Sequence, residues 1–262
     1  MQYNAVVSAM EEITPDIRLF KIKLASGVKL PYKAGQFAIL GLPADPSNLG
    51  GEWIRRAYSI ASAPRETDVA GEVEFYIVKV ENGQLTSRLF NTNAGDKIFM
   101  GEKVAGFMNL DRLPDDHNVL FICTGTGIAP FVSMMREYKE KLLNGKRKVG
   151  FLHGSRQTYE LGYRDYLEAL AVANPDFKYF PIVSRAKNEP AGAWSGYEGH
   201  AQSLIVNGEV DKVLGIEIKP ADASIFLCGN PRMVDDTVAI LTEKGFTPNT
   251  MQSPGNLYFD KH

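Results

Sequence analysis

The sequence predicts two domains: an antiparallel six-stranded β-barrel over residues 1–112, then an α/β domain with a parallel sheet over residues 113–262. Three observations carry this expectation. Up to residue 107 the apolar residues fall in short β-rich runs with partial alternation, as in strands with one buried face. After "LPDDH" (113–117) continuous apolar runs alternate with segments of helical spacing, as in a sheet covered on both faces. A chain of 262 residues is long enough for two modest domains.

In the first half the strands are "YNAVVSAM", "DIRLFKIKL", "GQFAILGLP", "RAYSIAS", "EVEFYIVKV" and "DKIFMGEKV". Ser26-Gly27, Ala34-Gly35, Pro43, Pro64, Gly71 and Gly95-Asp96 punctuate them as turns. Only "GQLTSRLF" (83–90) has helical spacing. Six strands so spaced suit a small barrel. In the second half "NVLFIC", "KVGFLH", "FKYFPIV" and "SIFLCG" are strands. The helices between and after them are "APFVSMMREYKEKLL", "YRDYLEALAVA", a weaker one around "AQSLIV", and "RMVDDTVAILTEKG".

Composition narrows the function. A net charge of -2 points away from nucleic acid. Cys123 and Cys228 are too few for a four-thiolate cluster, and the four histidines lack metal-ligand spacing, so no metal site is expected. No run approaches about 18 apolar residues, and the N-terminus lacks a basic region followed by an apolar one. The expectation is a cytoplasmic protein that is not membrane-bound.

Several segments suit phosphate. "TGTGIAP" (124–130) follows a strand and opens a helix, where small residues let amides approach an anion. "SRAK" (184–187) ends a strand with a hydroxyl and a guanidinium, and no carboxylate stands there for a ribose diol. This favours NADP over NAD; the alternative is that Arg185 is a solvated loop residue. Thr86 and Ser87 suit either a phosphate or simple helix capping. Arg56 suits a pyrophosphate and Tyr58 a flat ring. In a strand these two point one way, and Ala57 and Ser59 the other. Cys228, taken alone, reads first as a buried structural thiol.

In their order, "RAYS" (56–59), "GQLTSRL" (83–89), "GEKVAGFMNLD" (101–111), "TGTGIAPF" (124–131), "HGSR" with "ELGYRD" (153–165) and "LCGNPRMVDD" (227–236) resemble the plant-type ferredoxin–NADP reductase superfamily. The bacterial ferredoxin/flavodoxin–NADP reductases are the nearest branch. The resemblance implies an FAD-binding barrel and an NADP-binding domain. It assigns Arg56, Ala57, Tyr58 and Ser59 to FAD, with Ser59 on the ring nitrogen that accepts hydride. The strand residues Tyr76, Ile77 and Val78 would give backbone contacts to the flavin, and Gly83, Leu85, Thr86 and Ser87 would serve the pyrophosphate. Thr124, Gly125, Thr126, Gly127, Ser155, Arg156, Ser184, Arg185, Cys228 and Gly229 would form the dinucleotide site. Cys228 would sit beside the reactive nicotinamide carbon. Phe259 would cover the open flavin face, with Tyr258 and His262 as alternatives. Where relatives carry a second basic residue, this chain has "GYEGHAQ" with His200, which leaves NADH use open.

The implied activity is FAD-dependent electron transfer between NADP(H) and a one-electron carrier, ferredoxin or flavodoxin, in a transient complex. Ser59 and Cys228 are the residues closest to the chemistry, and Arg55 and Lys79 are candidates to face an acidic partner. The alternatives are an NAD(P)H-dependent flavin reductase and an oxygenase reductase with a separate acceptor. A non-catalytic electron-transfer subunit is disfavoured by the missing cysteine cluster.

Overall fold

The computed structural model describes residues 2–24, 30–190 and 193–261. The expected Ser26-Gly27 turn and the terminal His262 lie outside the described residues. The chain divides into two compact units, one of Met1–Asn109 with Ala129–Glu137 and one of Leu110–Ile128 with Tyr138–His262. This division differs from a break at residue 112 in two places. Residues 110–112 group with the second unit, and the segment 129–137 groups with the first.

The first unit is built on β1 (Ala5–Thr14), β2 (Ile17–Leu24), β3 (Phe37–Pro43), β4 (Trp53–Ser59), β5 (Glu72–Val78) and β6 (Lys97–Met100). They form one six-stranded sheet in the order β4-β3-β6-β1-β2-β5, with every pairing antiparallel. The two end strands meet at an Ile60–Phe75 bridge, and the Ala61 amide donates to the Glu74 carbonyl, so the sheet closes on itself there. Phe20, Ile22, Leu40, Ile60, Phe75 and Ile98 fill the interior without exposure. Helix α2 (Thr86–Leu89) adds Leu85, Leu89 and Phe90 to this core.

Helix α1 (Pro64–Ala70) replaces the turn expected at Pro64. Its start is chemically sound. Pro64 stands in the first turn, where a missing N–H costs nothing, and the Glu66 carboxylate accepts from the Ala63 amide at 3.0 Å. Gly71 ends it in the left-handed conformation, at φ 68°.

The stretch after β4 is pinned by a buried polar hub. The Tyr32 hydroxyl lies 3.0 Å from the Ser62 carbonyl and 2.8 Å from Thr67 Oγ1. Ser62 Oγ accepts from the Glu74 amide at 3.0 Å, and Ser133 Oγ donates to the Ser62 carbonyl at 2.6 Å. Ser133 belongs to α3 (Ala129–Glu137), whose Arg136 pairs with Glu74 at 2.9 Å. These bonds explain why α3 groups with the barrel.

The second unit contains β7 (Asn118–Thr124), β8 (Val149–Ser155), β9 (Phe177–Val183), β10 (Tyr197–Glu198), β11 (Ala223–Gly229) and β12 (Leu257–Lys261). They form a parallel sheet in the order β10-β9-β8-β7-β11-β12. The two outermost strands were not expected, because each is short and lies at an edge. The helices are α4 (Lys139–Leu142), α5 (Arg164–Ala173), α6 (Ala201–Val206), α7 (Glu209–Leu214) and α8 (Pro231–Glu243). The single helix expected over "APFVSMMREYKEKLL" breaks at Tyr138, at φ -110° and ψ 22°, into α3 and α4. One face of the sheet carries an aromatic layer, with Phe121 5.6 Å from Phe151 and 5.4 Å from Phe226, centroid to centroid. Among the described residues no helix is long and apolar enough to cross a membrane.

Burial, opposed by the Ser62 and Thr67 hydrogen bonds, pushes the Tyr32 phenol from its ordinary 10.0 up to about 12, with Glu66 and Glu137 adding to the rise. A raised folded value means that its stabilisation is complete below pH 10 and lost as pH rises through about 12. Tyr32→Phe is expected to lower stability at neutral pH by about 1 kcal/mol. Denaturant melts should also show the variant losing less stability than wild type between pH 10 and 12.

Candidate functional site

In the first unit the candidate residues on β4 and β5 gather at the seam between these strands. The register pairs Arg56 with Leu40 and Tyr58 with Ala38, and both partners are fully buried. Paired residues of antiparallel strands share a face, so Arg56 and Tyr58 stand on the inward side. Yet Arg55, Arg56 and Ala57 are all exposed, and Tyr58 and Ser59 are half-buried. The reason is topological. β4 and β5 are the two ends of the sheet, and among the described residues their pairing stops at Ile60–Phe75. Beyond that bridge run Tyr58, Ser59 and Arg56 on β4, and Tyr76, Ile77 and Val78 on β5. Tyr58 packs one side on the barrel core. Burial raises its phenol to about 12, against a downward pull from Arg56, so it stays neutral at ordinary pH.

The segment after β5 makes a tight loop into α2. Thr86 Oγ1 accepts from the Val80 amide at 3.2 Å and lies 3.4 Å from the Val80 carbonyl. A Cβ on Gly83 would come within 3.0 Å of both Thr86 Oγ1 and the Val80 carbonyl oxygen, so only glycine fits. Ser87 Oγ donates to the Gly83 carbonyl at 2.6 Å. Thr86 and Leu85 are buried, so their side chains build the loop. Among the described residues the amides of Gln84, Leu85 and Thr86 donate to no protein acceptor.

In the second unit the candidate residues lie at the carboxyl ends of the parallel strands, where such sheets hold ligands. β7 ends at Thr124 and passes into a 3-10 turn, Gly125–Ile128. Gly125 has φ 53° and open space where a Cβ would stand. Gly127 is the opposite case, since its Cβ would fall under 3.0 Å from the Cys228 carbonyl and the Gly229 Cα. Gly229, at φ 132°, is as tightly set against Thr124. Thr124 Oγ1 accepts from the Asn230 amide at 3.0 Å, and Asn230 Oδ1 caps α8 by accepting from Arg232 and Met233. The Cys228 side chain is fully buried, and burial first, then Asp260 and Cys123, push its thiol well above the ordinary range. It is a neutral packing group.

The loops after β8 and β9 are joined. The Ser184 amide donates to the Ser155 carbonyl and the Arg185 amide to the Arg156 carbonyl, each at 2.9 Å. Ser155, Arg156, Ser184 and Arg185 therefore form one rim. Arg156 pairs with Glu160 at 2.7 Å, a partner that sequence reasoning passed over although the i,i+4 spacing was its signal. Arg185 is exposed, and no ion pair of it is found among the described residues. Phe259 lies on the edge strand β12, 38% exposed, whereas Tyr258 is stacked on Phe226 at 4.5 Å as part of the core. His200 is exposed and precedes α6.

Comparison with known proteins places this geometry. Residues 4–103 match the oxidoreductase FAD-binding domain and residues 121–239 the oxidoreductase NAD-binding domain. The flavodoxin/ferredoxin–NADP reductase of Buchnera aphidicola subsp. Schizaphis graminum is 35% identical over 216 residues, 80% of each chain. The chain belongs to the flavodoxin/ferredoxin–NADP reductase family. The reductase of that name from Escherichia coli strain K12 is 32% identical, covering 84% of this chain and 82% of its own. A crystal structure of a ferredoxin NADP+ reductase from Neisseria gonorrhoeae with bound FAD and NADP aligns with a TM-score of 0.83. It has 27% identity and covers 99% of this chain and 98% of its own. The two-domain reductase fold, an antiparallel barrel followed by a parallel-sheet domain, is thus the fold expected from the sequence.

Gly127→Ala must displace backbone at Cys228, because the clash is with a carbonyl and not with a flexible side chain. It should destabilise the second unit by about 1–3 kcal/mol. Gly125→Ala, with open space at its Cβ, meets only the strain of its positive φ and should cost about 1 kcal/mol. Chemical denaturation of the two variants side by side checks the order.

Proposed function

We propose that this protein is an FAD-dependent reductase that carries electrons between NADP(H) and a one-electron carrier, ferredoxin or flavodoxin. The observation that carries the reading is the seam where Arg56 and Tyr58 stand on the barrel's inward side yet remain open. The residues present fit FAD. The seam offers a ring-sized apolar face at Tyr58 and a guanidinium at Arg56. The Gly83 loop supplies amides at Gln84–Thr86 without a side chain in the way. The second unit fits a dinucleotide, with Gly125 open and the rim of Ser155, Arg156, Ser184 and Arg185 cationic.

We assign residues 1–112 to FAD and 113–262 to NADP(H). Bound FAD supplies the redox chemistry, taking a hydride equivalent and returning electrons one at a time. The protein's part is to bind and orient. Arg56 neutralises pyrophosphate charge, and the amides before α2 join it. Tyr58, neutral and held by the core, presents a flat face for stacking. Ser59, the last residue of β4, faces away from Tyr58 along the strand, so its hydroxyl reaches the flavin edge through the twist at the strand end, where it is a preorganised dipole. The backbone of Ala57 and of Tyr76–Val78 lines the ring.

Thr86 acts through its loop, and Leu85 through its amide. The Thr124–Gly127 turn receives the dinucleotide pyrophosphate, with Thr126 half-buried within it. We assign Cys228 and Gly229 to the nicotinamide end; both are buried in this conformation, so nicotinamide meets them only where covering groups move aside, and the neutral, polarizable thiol is suited to packing and not to attack. Phe259 is the more exposed of the two aromatics of β12, and we assign it to an open flavin face. Arg55 and Lys79 are exposed cations suited to an acidic carrier met in a transient complex, and we place the enzyme in the cytoplasm. The net charge of -2 favours a protein partner over nucleic acid.

Arg185→Ala is expected to lower kcat/KM for NADPH by about 10- to 100-fold, the loss of a charged hydrogen bond, and to leave NADH turnover unchanged. Steady-state ferricyanide assays with both nucleotides check this. An intact NADPH preference would remove Arg185 from the 2′-phosphate. Arg56→Ala should weaken FAD binding by about the same factor, read from flavin release on dilution.

A further inference from the structure

Glu160 is assigned no role by the reading above, on which this inference rests. It ends a 3-10 turn, Thr158–Glu160, and is only 7% exposed. Its carboxylate accepts from the Arg156 amide at 3.0 Å, from Arg156 Nη2 at 2.7 Å and from Arg156 Nε at 3.3 Å. The Gln157 amide adds a longer contact at 3.4 Å. A buried carboxylate needs such a set of donors to offset its lost hydration.

The geometry of the pair matters. Glu160 engages the Nε and Nη2 edge of the guanidinium, and arginine carries five N–H donors in a rigid fork. The Nη1 edge is thereby turned away from the carboxylate, on a side chain that is 56% exposed. The turn itself is fixed, because the Thr158 amide donates to Glu189 Oε1 at 2.7 Å, across to the loop that follows β9. That loop carries Ser184 and Arg185, whose amides bond the carbonyls of Ser155 and Arg156. Arg156 and Arg185 are thus neighbours on one platform, and among the described residues the first is braced by a carboxylate while the second is not.

We propose that Glu160 is a positioning residue for recognition of the nucleotide 2′-phosphate. It holds Arg156 side-on, so that the outer edge of the guanidinium joins Arg185 on the phosphate. A carboxylate so close also offsets part of the Arg156 charge. The side-on brace predicts that its removal weakens phosphate binding, whereas mere neutralisation predicts that its removal strengthens it.

The test is calorimetric binding to the FAD-loaded enzyme, with adenosine 2′,5′-bisphosphate and 5′-AMP as probes. Glu160→Gln should weaken the bisphosphate about five- to tenfold and leave 5′-AMP unchanged, a size typical of coupling within one hydrogen-bond network. Glu160→Asp, which keeps the charge and shortens the reach, should weaken it in the same direction. Because Glu160 acts through Arg156, the double variant E160Q/R156A should bind no more weakly than R156A. Equal or tighter bisphosphate binding by both Glu160 variants would overturn the proposal. So would a double variant weaker than R156A by the full E160Q factor. If the wild-type enzyme bound the two probes alike, the 2′-phosphate reading of the rim would fall, and the role of Glu160 with it.

Discussion

The second unit depends on a close approach of two backbones. The turn after β7 and the turn after β11 meet at Gly127 and Gly229, with no room for a side chain at either. Two parallel strands that lie side by side must release their chains in different directions at their carboxyl ends. Here they do so within one turn, and Thr124 Oγ1 fastens the crossing by accepting the Asn230 amide. The consequence for function is a bare surface. With side chains excluded at Gly127 and Gly229, the open side of Gly125 and the half-buried Thr124 and Thr126 are what this turn presents. A dinucleotide can lie close to such a surface.

The barrel follows a complementary logic. A closed sheet has no free edge, and an open one exposes two. This barrel closes at one end of its seam and stays open at the other. The hub of Tyr32, Ser62, Thr67 and Ser133 secures the closed end, immediately after the residues assigned to the flavin. Tyr58 and Ser59 are therefore held from one side by buried hydrogen bonds and left accessible on the other. Rigid support beside an open face is what a preorganised cofactor site requires.

Much of this was legible in the sequence, for identifiable reasons. The alternation in "RAYS" correctly put Arg56 and Tyr58 on one face, since strand parity is local. The apolar runs of β7, β8, β9 and β11 marked buried parallel strands because both their faces are covered. Helix α1 was hidden behind Pro64, although proline in a first turn, Glu66 and Gly71 together spell a helix. The break at Tyr138 has no breaker residue to announce it. The Tyr32 hub joins residues up to 71 positions apart, and no local pattern reports such bonds. Thr86 suited either a phosphate or a helix cap by type, and its hydroxyl is engaged in shaping its own loop, a contact that type alone does not report.

The central claim is that one chain holds FAD and reduces it with NADPH. It is tested most directly by anaerobic titration of the purified protein with NADPH, following the flavin absorbance band. The account predicts a bound flavin that bleaches stoichiometrically with added NADPH and recovers when an oxidised one-electron carrier is supplied. A protein that retains no flavin, or whose flavin stays oxidised in excess NADPH, would contradict it.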